Sequence, residues 1–181
     1  MNKKISIAID AMGGENAPEK NIDGLSIFLN KNKSNDDFII KLYGNKNILI
    51  EEISKRKIPN GKIEIIHAEG IISEKETPLT AIKNSKNTSM WNAIKAQIDG
   101  NADISLSAGN TGVLLVISRM ILKTMKEVNK PALAGLWPSK KGMSVVLDLG
   151  ANIECDEKNL VDFSEMGSAL YKSIFPEEKP H

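Results

Sequence analysis

Short apolar runs alternate with helix-like segments along most of this 181-residue chain. The predicted strands cover residues 4–9, 38–44, 62–68 and 102–107. The predicted helices are one that opens at Pro18 and others at 47–57, 79–84, 89–100, 111–126 and 157–174. Because the strands are apolar almost throughout, both of their faces should be buried. This order predicts an α/β fold with a mostly parallel sheet that helices cover on both faces.

Two further apolar runs, residues 131–137 and 143–150, precede the last helix. The sequence then ends in "PEEKPH" directly after that helix, where an alternating fold would next supply a strand. We therefore expect residues 1–181 to form one portion of a single longer α/β domain that is truncated in this chain.

The composition argues against several classes of protein. Lys and Arg number 24 against 23 Asp and Glu, and aromatic residues make up 4%, so a nucleic-acid partner is not expected. Cys155 is the single cysteine, which leaves no intrachain disulfide and no Cys/His zinc framework. The longest apolar stretch, residues 113–117, is far too short to span a membrane. We expect a soluble cytoplasmic protein, and peripheral contact with a membrane stays open.

Three loops that follow strands share one pattern of residues. Residues 7–18, 106–112 and 146–152 each leave an apolar strand and pass through Asp or Ser, then Gly, then Asn. The carboxyl ends of parallel strands meet at one edge of a sheet, and ligands bind at that edge. The three loops are therefore the candidate site. Neither G-x-G-x-x-G after a strand nor G-x-x-x-x-G-K-[ST] occurs, so an ordinary dehydrogenase or a P-loop NTPase is not indicated.

The loop "SAGNTG" has the features of an anion site. Gly109 and Gly112 let a ligand approach the backbone, while Asn110 and Thr111 stand where the next helix begins. Unpaired N–H groups and the positive end of the helix dipole favour phosphate there, and the hydroxyl group of Ser107 could add a donor. The alternative is a tight turn in which Asn or Thr caps the helix and no ligand binds.

Asp10 and Asp148 each follow three apolar residues at the end of a strand. A carboxylate that faced phosphate directly would repel it. These two residues are therefore expected to brace their loops by accepting backbone N–H bonds or to pair with a lysine, with metal ligation as the weaker alternative. His67 lies in a strand pattern and is expected to be structural.

Four stretches together resemble one known family. They are "IAIDAMGGENAP", "KNTSMWNAI", "DISLSAGNTG" and "VVLDLGANIEC", in this order along the chain. The sequence is similar to the bacterial phosphate acyltransferases of phospholipid synthesis, the PlsX family. Glu15 departs from the pattern, since the family usually has Asp at this place. The family's second half has no counterpart here, which makes residues 1–181 an N-terminal portion.

The resemblance implies transfer of a fatty acyl group from acyl carrier protein to inorganic phosphate. It also implies a Rossmann-like, three-layer α/β/α fold related to phosphotransacetylases, and a homodimer that works in the cytoplasm near the membrane. No organic cofactor and no essential metal are implied. Two alternatives stay open: a phosphotransacetylase-like enzyme that uses coenzyme A, and a non-catalytic module that binds phosphate or organises other proteins.

The resulting hypothesis places phosphate or the oxyanion on the turn from Ser107 to Gly112. Its catalytic residues are Asn110, Asp10 and Asp148. The expected substrate-binding residues are Ser107, Gly109, Thr111, Gly112, Gly13, Gly14, Gly150, Asn152, Lys83 and Ser89, the last two on a mobile edge formed by residues 83–90. A weaker expectation assigns docking of the acidic carrier protein to Lys123, Lys126, Lys140 and Lys141.

Overall fold

A computed structural model describes residues 3–58, 60–140 and 142–179 of the chain. It divides into two compact units, Met1–Lys123 and Thr124–His181, which we call the first unit and the second unit. None of the helices within the described ranges combines the length and the apolar character needed to cross a lipid bilayer.

The first unit contains a four-stranded sheet in which all paired strands are parallel. The strands are β1 (Ile5–Asp10), β2 (Phe38–Gly44), β3 (Ile63–His67) and β4 (Ile104–Ser107), in the spatial order β3-β2-β1-β4. The helices are α1 (Glu19–Lys31), α2 (Lys46–Lys55), α3 (Pro78–Asn84), α4 (Ser89–Ile98) and α5 (Thr111–Leu122). A short 3₁₀ turn, Asn60–Lys62, precedes β3. The four predicted strands are confirmed to within two residues at each end.

Side chains of β1 point alternately to two helical layers. Ile7 and Ile9 pack on the core that α1 and α2 form, whereas Ala8 belongs to a cluster with Ala93 and Ala96 of α4. This alternation follows from the period of two in a strand. The expectation of a parallel sheet with helices on both faces is therefore confirmed for the first unit.

Helix α5 is shorter than its sequence pattern predicts. The apolar pattern suggested a helix to residue 126, but α5 ends at Leu122. Lys123 follows with φ 62° and ψ 172°, a backbone conformation that ends a helix. Val113 and Ile117 form its buried stripe and pack in one cluster with Met90 of α4, which fixes where α5 begins beside the sheet.

The described residues of the second unit form a β-hairpin and one helix. Strands β5 (Gly135–Ser139) and β6 (Gly142–Val146) pair antiparallel, and helix α6 spans Glu157–Ile174. The apolar run 143–150 is thus a strand only as far as residue 146. Ser139 and Gly142 are register partners, so the two strands form a hairpin and depart from the parallel arrangement of the first unit.

Candidate functional site

Asp10 and Ser107 form the centre of the predicted site in the first unit. They are register partners at the carboxyl ends of β1 and β4. The Ser107 hydroxyl donates a hydrogen bond of 2.7 Å to Oδ2 of Asp10, and the Met12 amide donates one of 3.3 Å to Oδ1. Asp10 is 1% exposed. Its carboxylate therefore braces the loop after β1, as the sequence analysis expected.

The glycines of the two loops are needed for close packing. A Cβ atom on Gly13 would lie 2.3 Å from Oδ2 of Asp10, and one on Gly14, whose φ is 99°, would lie 2.7 Å from the carbonyl oxygen of Ala108. A Cβ on Gly109 would lie 2.8 Å from Cε of Met90. The loops after β1 and β4 therefore press against each other, which larger residues would prevent.

Asn21 is a functional candidate that the sequence analysis missed. Its side-chain amide donates to the carbonyl oxygens of Ala11 and Gly13, at 3.0 and 2.9 Å. These two bonds hold the β1 loop in place from helix α1. Nothing in the local pattern distinguishes Asn21 from a surface residue of an amphipathic helix, because the contact depends on how the helix packs.

Asn110 is the N-cap of α5 and is fully engaged within the protein. Its Oδ1 accepts a hydrogen bond of 3.1 Å from the Val113 amide. Its Nδ2 donates to the carbonyl oxygens of Glu74 and Glu76, at 3.0 and 3.3 Å. Asn110 thus joins the start of α5 to the loop that precedes α3, and these bonds fit a positioning role.

Two backbone N–H groups at the start of α5 are available as hydrogen-bond donors to a ligand. Within residues 3–58, 60–140 and 142–179, no protein acceptor pairs with the N–H group of Thr111 or of Gly112. The neighbouring Gly109 amide donates to Oγ of Ser107 at 3.1 Å, and Thr111 is exposed. Such a helix start offers two adjacent donors and a positive dipole end to an anion.

Lys83 and Ser89 differ in their surroundings. Lys83 lies exposed in the last turn of α3, whereas Ser89 is 1% exposed at the start of α4. The Ser89 amide donates to the carbonyl oxygen of Gly70 at 3.0 Å, and the Thr88 hydroxyl caps α4. Lys83 is therefore accessible to solvent, while Ser89 is part of the packed structure.

The Asp148 loop belongs to the second unit. Oδ1 of Asp148 accepts from the amides of Leu133 and Ala151, at 2.9 and 3.3 Å. Oδ2 accepts from the amide and the side chain of Asn152, at 2.7 and 2.8 Å. Burial raises the pKa of the Asp148 carboxyl, but these hydrogen bonds outweigh that effect and the net result is a lowered pKa. Asp148 is therefore ionised and holds its loop in place by accepting these hydrogen bonds, as the sequence analysis expected.

Gly150 and Asn152 line a cavity of about 850 Å³ together with Asp148, the hairpin and α6. Gly150 has φ 82°, a conformation that favours glycine. The structure thus assigns the three predicted loops to two units: the loops after β1 and β4 contact each other in the first, and the Asp148 loop has its own cavity in the second.

Two other sequence expectations concern His67 and the lysines named for carrier docking. Nδ1 of His67 accepts a hydrogen bond of 3.3 Å from the Lys46 amide, which agrees with the structural role expected for it. Lys123, Lys126 and Lys140 are exposed, as carrier docking would require, whereas Lys141 lies outside the described residues.

Comparison with solved structures defines the class of fold. The EutD phosphotransacetylase from Staphylococcus aureus superposes with a TM-score of 0.65 at 15% identity, over 96% of this chain and 54% of that one. The chain therefore has a phosphotransacetylase-like α/β fold.

Comparison with sequences defines the family. The model of a family described as "Fatty acid synthesis protein" matches residues 5–181, and the chain belongs to this family. The phosphate acyltransferase of Pelagibacter ubique is 49% identical over 178 residues, which are 98% of this chain and 52% of the relative. That of Bradyrhizobium diazoefficiens is 37% identical over 181 residues, 99% of this chain and 50% of the relative. The chain thus spans about half the length of these curated relatives.

Proposed function

We propose that this chain carries the phosphate-binding part of a phosphate acyltransferase, which moves a fatty acyl group from acyl carrier protein to inorganic phosphate. Its family and the names of its relatives support the proposal. The structural observation that carries it is the pair of unused amides, Thr111 and Gly112, beside the braced contact of Asp10 with Ser107.

The reaction needs little covalent chemistry from the protein. An oxygen of phosphate attacks the thioester carbonyl, the bond from carbon to sulfur breaks, and the carrier thiolate leaves and takes up a proton. With a second pKa of about 6, as in phosphoserine, much of the phosphate at neutral pH is already a dianion. The enzyme must hold this anion, align it with the thioester and stabilise the oxyanion, which together lower the barrier by several kcal/mol.

The amides of Thr111 and Gly112 are the proposed donors to phosphate or to the oxyanion. Asp10 acts on them indirectly, since it fixes Ser107, whose oxygen in turn holds the Gly109 amide. Asn110 is the proposed positioning residue, because its cap bond sets the direction of the first turn of α5. The oxygens of Asp10 accept hydrogen bonds from the Ser107 hydroxyl and the Met12 amide, which fits a bracing role rather than a direct contact with phosphate.

Residues of both units supply the remaining proposed contacts. In the second unit Asp148 would hold Gly150 and Asn152 toward a substrate in the cavity that they line, and in the first unit Lys83 would meet phosphate from the end of α3. Exposed lysines, Lys123 and Lys140 among them, would attract an acidic carrier protein. We further propose a cytoplasmic homodimer with peripheral contact to the membrane.

The phosphotransacetylase fold favours a second candidate, in which the donor is a coenzyme A thioester. One assay separates the two. Long-chain acyl carrier protein or acyl-coenzyme A is incubated with phosphate and with a version of the protein extended to the length of the curated relatives. Acyl phosphate and free carrier from the first donor support the proposal. Product from coenzyme A alone supports the second candidate, and absence of acyl phosphate with both donors refutes both.

A further inference from the structure

A cavity of about 720 Å³ lies in the first unit, on the face of the sheet that α4 covers. Side chains of β2 and β3 form its floor. Trp91 and Lys95 of α4 and Asp99, the C-cap of this helix, form one wall. These three residues are spaced four apart, so they lie on one side of the helix. Helix α4 packs against β1, β2 and β4, and the cavity therefore opens between it and the outer strand β3.

Tyr43 of β2 is a buried polar residue that lines this cavity. It is 6% exposed, and it packs in one cluster with Ala93 and Ala96 of α4. Across the described ranges of the chain its hydroxyl group has no hydrogen-bond partner, although solvent still reaches the oxygen. Buried polar groups are normally paired, because leaving one unpaired costs free energy. The Tyr43 hydroxyl is therefore available to a molecule that enters the cavity.

Two pairs of opposite charges surround Tyr43. Nζ of Lys41 lies 3.8 Å from Oε2 of Glu64, its register partner on β3. Lys95 pairs with Asp99 along α4. Burial, and then the charges of Glu64 and Asp99, raise the pKa of the Tyr43 hydroxyl, which stays protonated at neutral pH. A protonated hydroxyl can donate a hydrogen bond to a ligand.

Lys86, just before α4, adds a positive charge that is not neutralised. It is exposed and lines the cavity, and within the residues that the structure describes no carboxylate pairs with it. The lining therefore carries three lysines against two carboxylates. A ligand with one anionic group would match this surplus of one positive charge.

The lining argues against two simple ligands. A fatty chain does not match, because five charged side chains and three asparagines line the cavity. Inorganic phosphate alone does not match, because Glu64 and Asp99 would repel a bare dianion beside Tyr43. Trp91, in contrast, offers a flat ring on which a base can stack. Asn92, next to it, has both donors and an acceptor for the edge of a base.

We propose that this cavity binds a nucleoside monophosphate, with the base on Trp91, the Tyr43 hydroxyl as a donor to the base or ribose, and the Lys86 ammonium group on the phosphate. Its volume is within the range of small-molecule sites, about 300–1,000 Å³. Glu64 is charged and half-exposed, which fits a face open to solvent. None of the residues proposed to hold phosphate at the start of α5 lines this cavity, so the two sites are separate.

The probe is adenosine monophosphate (AMP), titrated by calorimetry into this chain and into the version extended to the length of the curated relatives. We expect one-to-one binding with a Kd below about 1 mM. Adenosine lacks the phosphate and ribose 5-phosphate lacks the base, so each should bind about 10-fold more weakly or less. In Trp137→Phe, Trp91 is the only tryptophan, and AMP should quench its fluorescence. If the two proteins differ, the extended version decides.

Two substitutions test the proposed contacts. Tyr43→Phe should weaken AMP binding about 5-fold and leave the free energy of unfolding unchanged, because the hydroxyl has no partner within the described residues. Lys86→Gln should weaken AMP binding about 10-fold and leave adenosine binding unchanged. The matched controls are Tyr171→Phe, which changes the only other tyrosine, and Lys31→Gln, which changes an exposed lysine of α1. Both controls should bind AMP within about 2-fold of the unsubstituted protein.

Several results would overturn the nucleotide site. The extended version might be found to bind no AMP, or to bind it without quenching Trp91. Equal affinities of Tyr43→Phe and Tyr171→Phe would contradict the proposed hydroxyl contact, and equal affinities of Lys86→Gln and Lys31→Gln would contradict the phosphate contact. Binding of adenosine, ribose 5-phosphate or inorganic phosphate as tightly as AMP would also refute the proposal. None of these results depends on acyltransferase activity, so the proposed function is tested separately.

Discussion

The Ser107 hydroxyl donates a 2.7 Å hydrogen bond to the buried carboxylate of Asp10 and thereby ties together the carboxyl ends of β1 and β4. The same Ser107 oxygen accepts the Gly109 amide at 3.1 Å. A single chain of contacts therefore leads from the buried end of β1 to the turn that starts α5.

The side chains of Asp10 and Ser107 should be energetically coupled through this hydrogen bond. Asp10→Ala leaves the Ser107 hydroxyl and the Met12 amide without their acceptor and should cost about 2–3 kcal/mol, since hydrogen bonds to charged groups contribute that much. Ser107→Ala should cost about 1–2 kcal/mol. The double variant should lose at least about 1 kcal/mol less than the sum of the two. Urea unfolding of the four proteins measures this difference, and simple additivity would show that the contact is not formed in solution.

Gly13 should not tolerate a methyl group. In Gly13→Ala the new Cβ would lie 2.3 Å from Oδ2 of Asp10, so the loop must move, at a cost of about 3 kcal/mol. Gly24 in α1 is the matched control, because nothing lies within 4 Å of its added Cβ. Gly24→Ala should stabilise the protein by about 1 kcal/mol through helix propensity. Equal unfolding midpoints of the two variants would contradict the packing of the two glycine loops.

Asn110 should contribute more stability than an ordinary helix cap. Asn45, the N-cap of α2, accepts from two amides and serves as the control; Asn45→Ala should cost about 1 kcal/mol. Asn110→Ala removes the cap of α5 and also both donors to the carbonyl groups of Glu74 and Glu76, which adds about 1–2 kcal/mol. Asn110→Asp keeps the cap and should fall between the two. Chemical denaturation gives the free energy of unfolding of each variant. If Asn110→Ala loses no more of this free energy than Asn45→Ala does, the proposed link from Asn110 to the loop before α3 is refuted.

The pH dependence of the second unit should reflect Asp148. Its folded-state pKa is lowered below the ordinary value of 3.8, so its carboxylate stabilises the fold above that value, and this stability is lost as the pH falls toward the folded-state pKa. Titration of the Asp148 carboxyl carbon by NMR should give a pKa below 3.8. In Asp148→Asn the amides of Ala151 and Asn152 should lose protection from exchange at neutral pH. A pKa at or above the ordinary value would refute the bracing role.

The sequence predicted the first unit better than the second. Continuous apolar runs located all four parallel strands, because burial on both faces leaves a pattern in each strand by itself. The end of α5 was misplaced because the apolar pattern continues to Met125, while the backbone at Lys123 turns away from the helix. The hairpin β5–β6 was not anticipated, since an apolar run does not reveal the direction of its partner strand.

The sequence indicated that Asp10 and Asp148 brace their loops, but it did not reveal all of the contacts that hold the first of these loops. The roles of Asp10 and Asp148 as braces followed from their place after apolar strands, since a carboxylate there needs donors. The bond between Asp10 and Ser107 and the contribution of Asn21 join residues that are distant in sequence. Such pairs depend on register and helix packing, which a local pattern does not contain.

The central claim is that the first amides of α5 bind phosphate, and Thr111→Pro tests it most directly. Proline is favoured at the first helical position, and the preceding Asn110 already has an extended ψ of 116°, so the substitution removes one N–H group with little disturbance of the backbone. The control is Thr111→Val, which removes the hydroxyl and keeps the amide.

The measurement is kcat/KM for phosphate, made on the protein extended to the length of its relatives. We predict a loss of about 10-fold or more for Thr111→Pro and less than about 3-fold for Thr111→Val, with both melting temperatures within a few degrees of the unsubstituted protein. If Thr111→Pro uses phosphate as well as Thr111→Val does, the helix start is not the phosphate site.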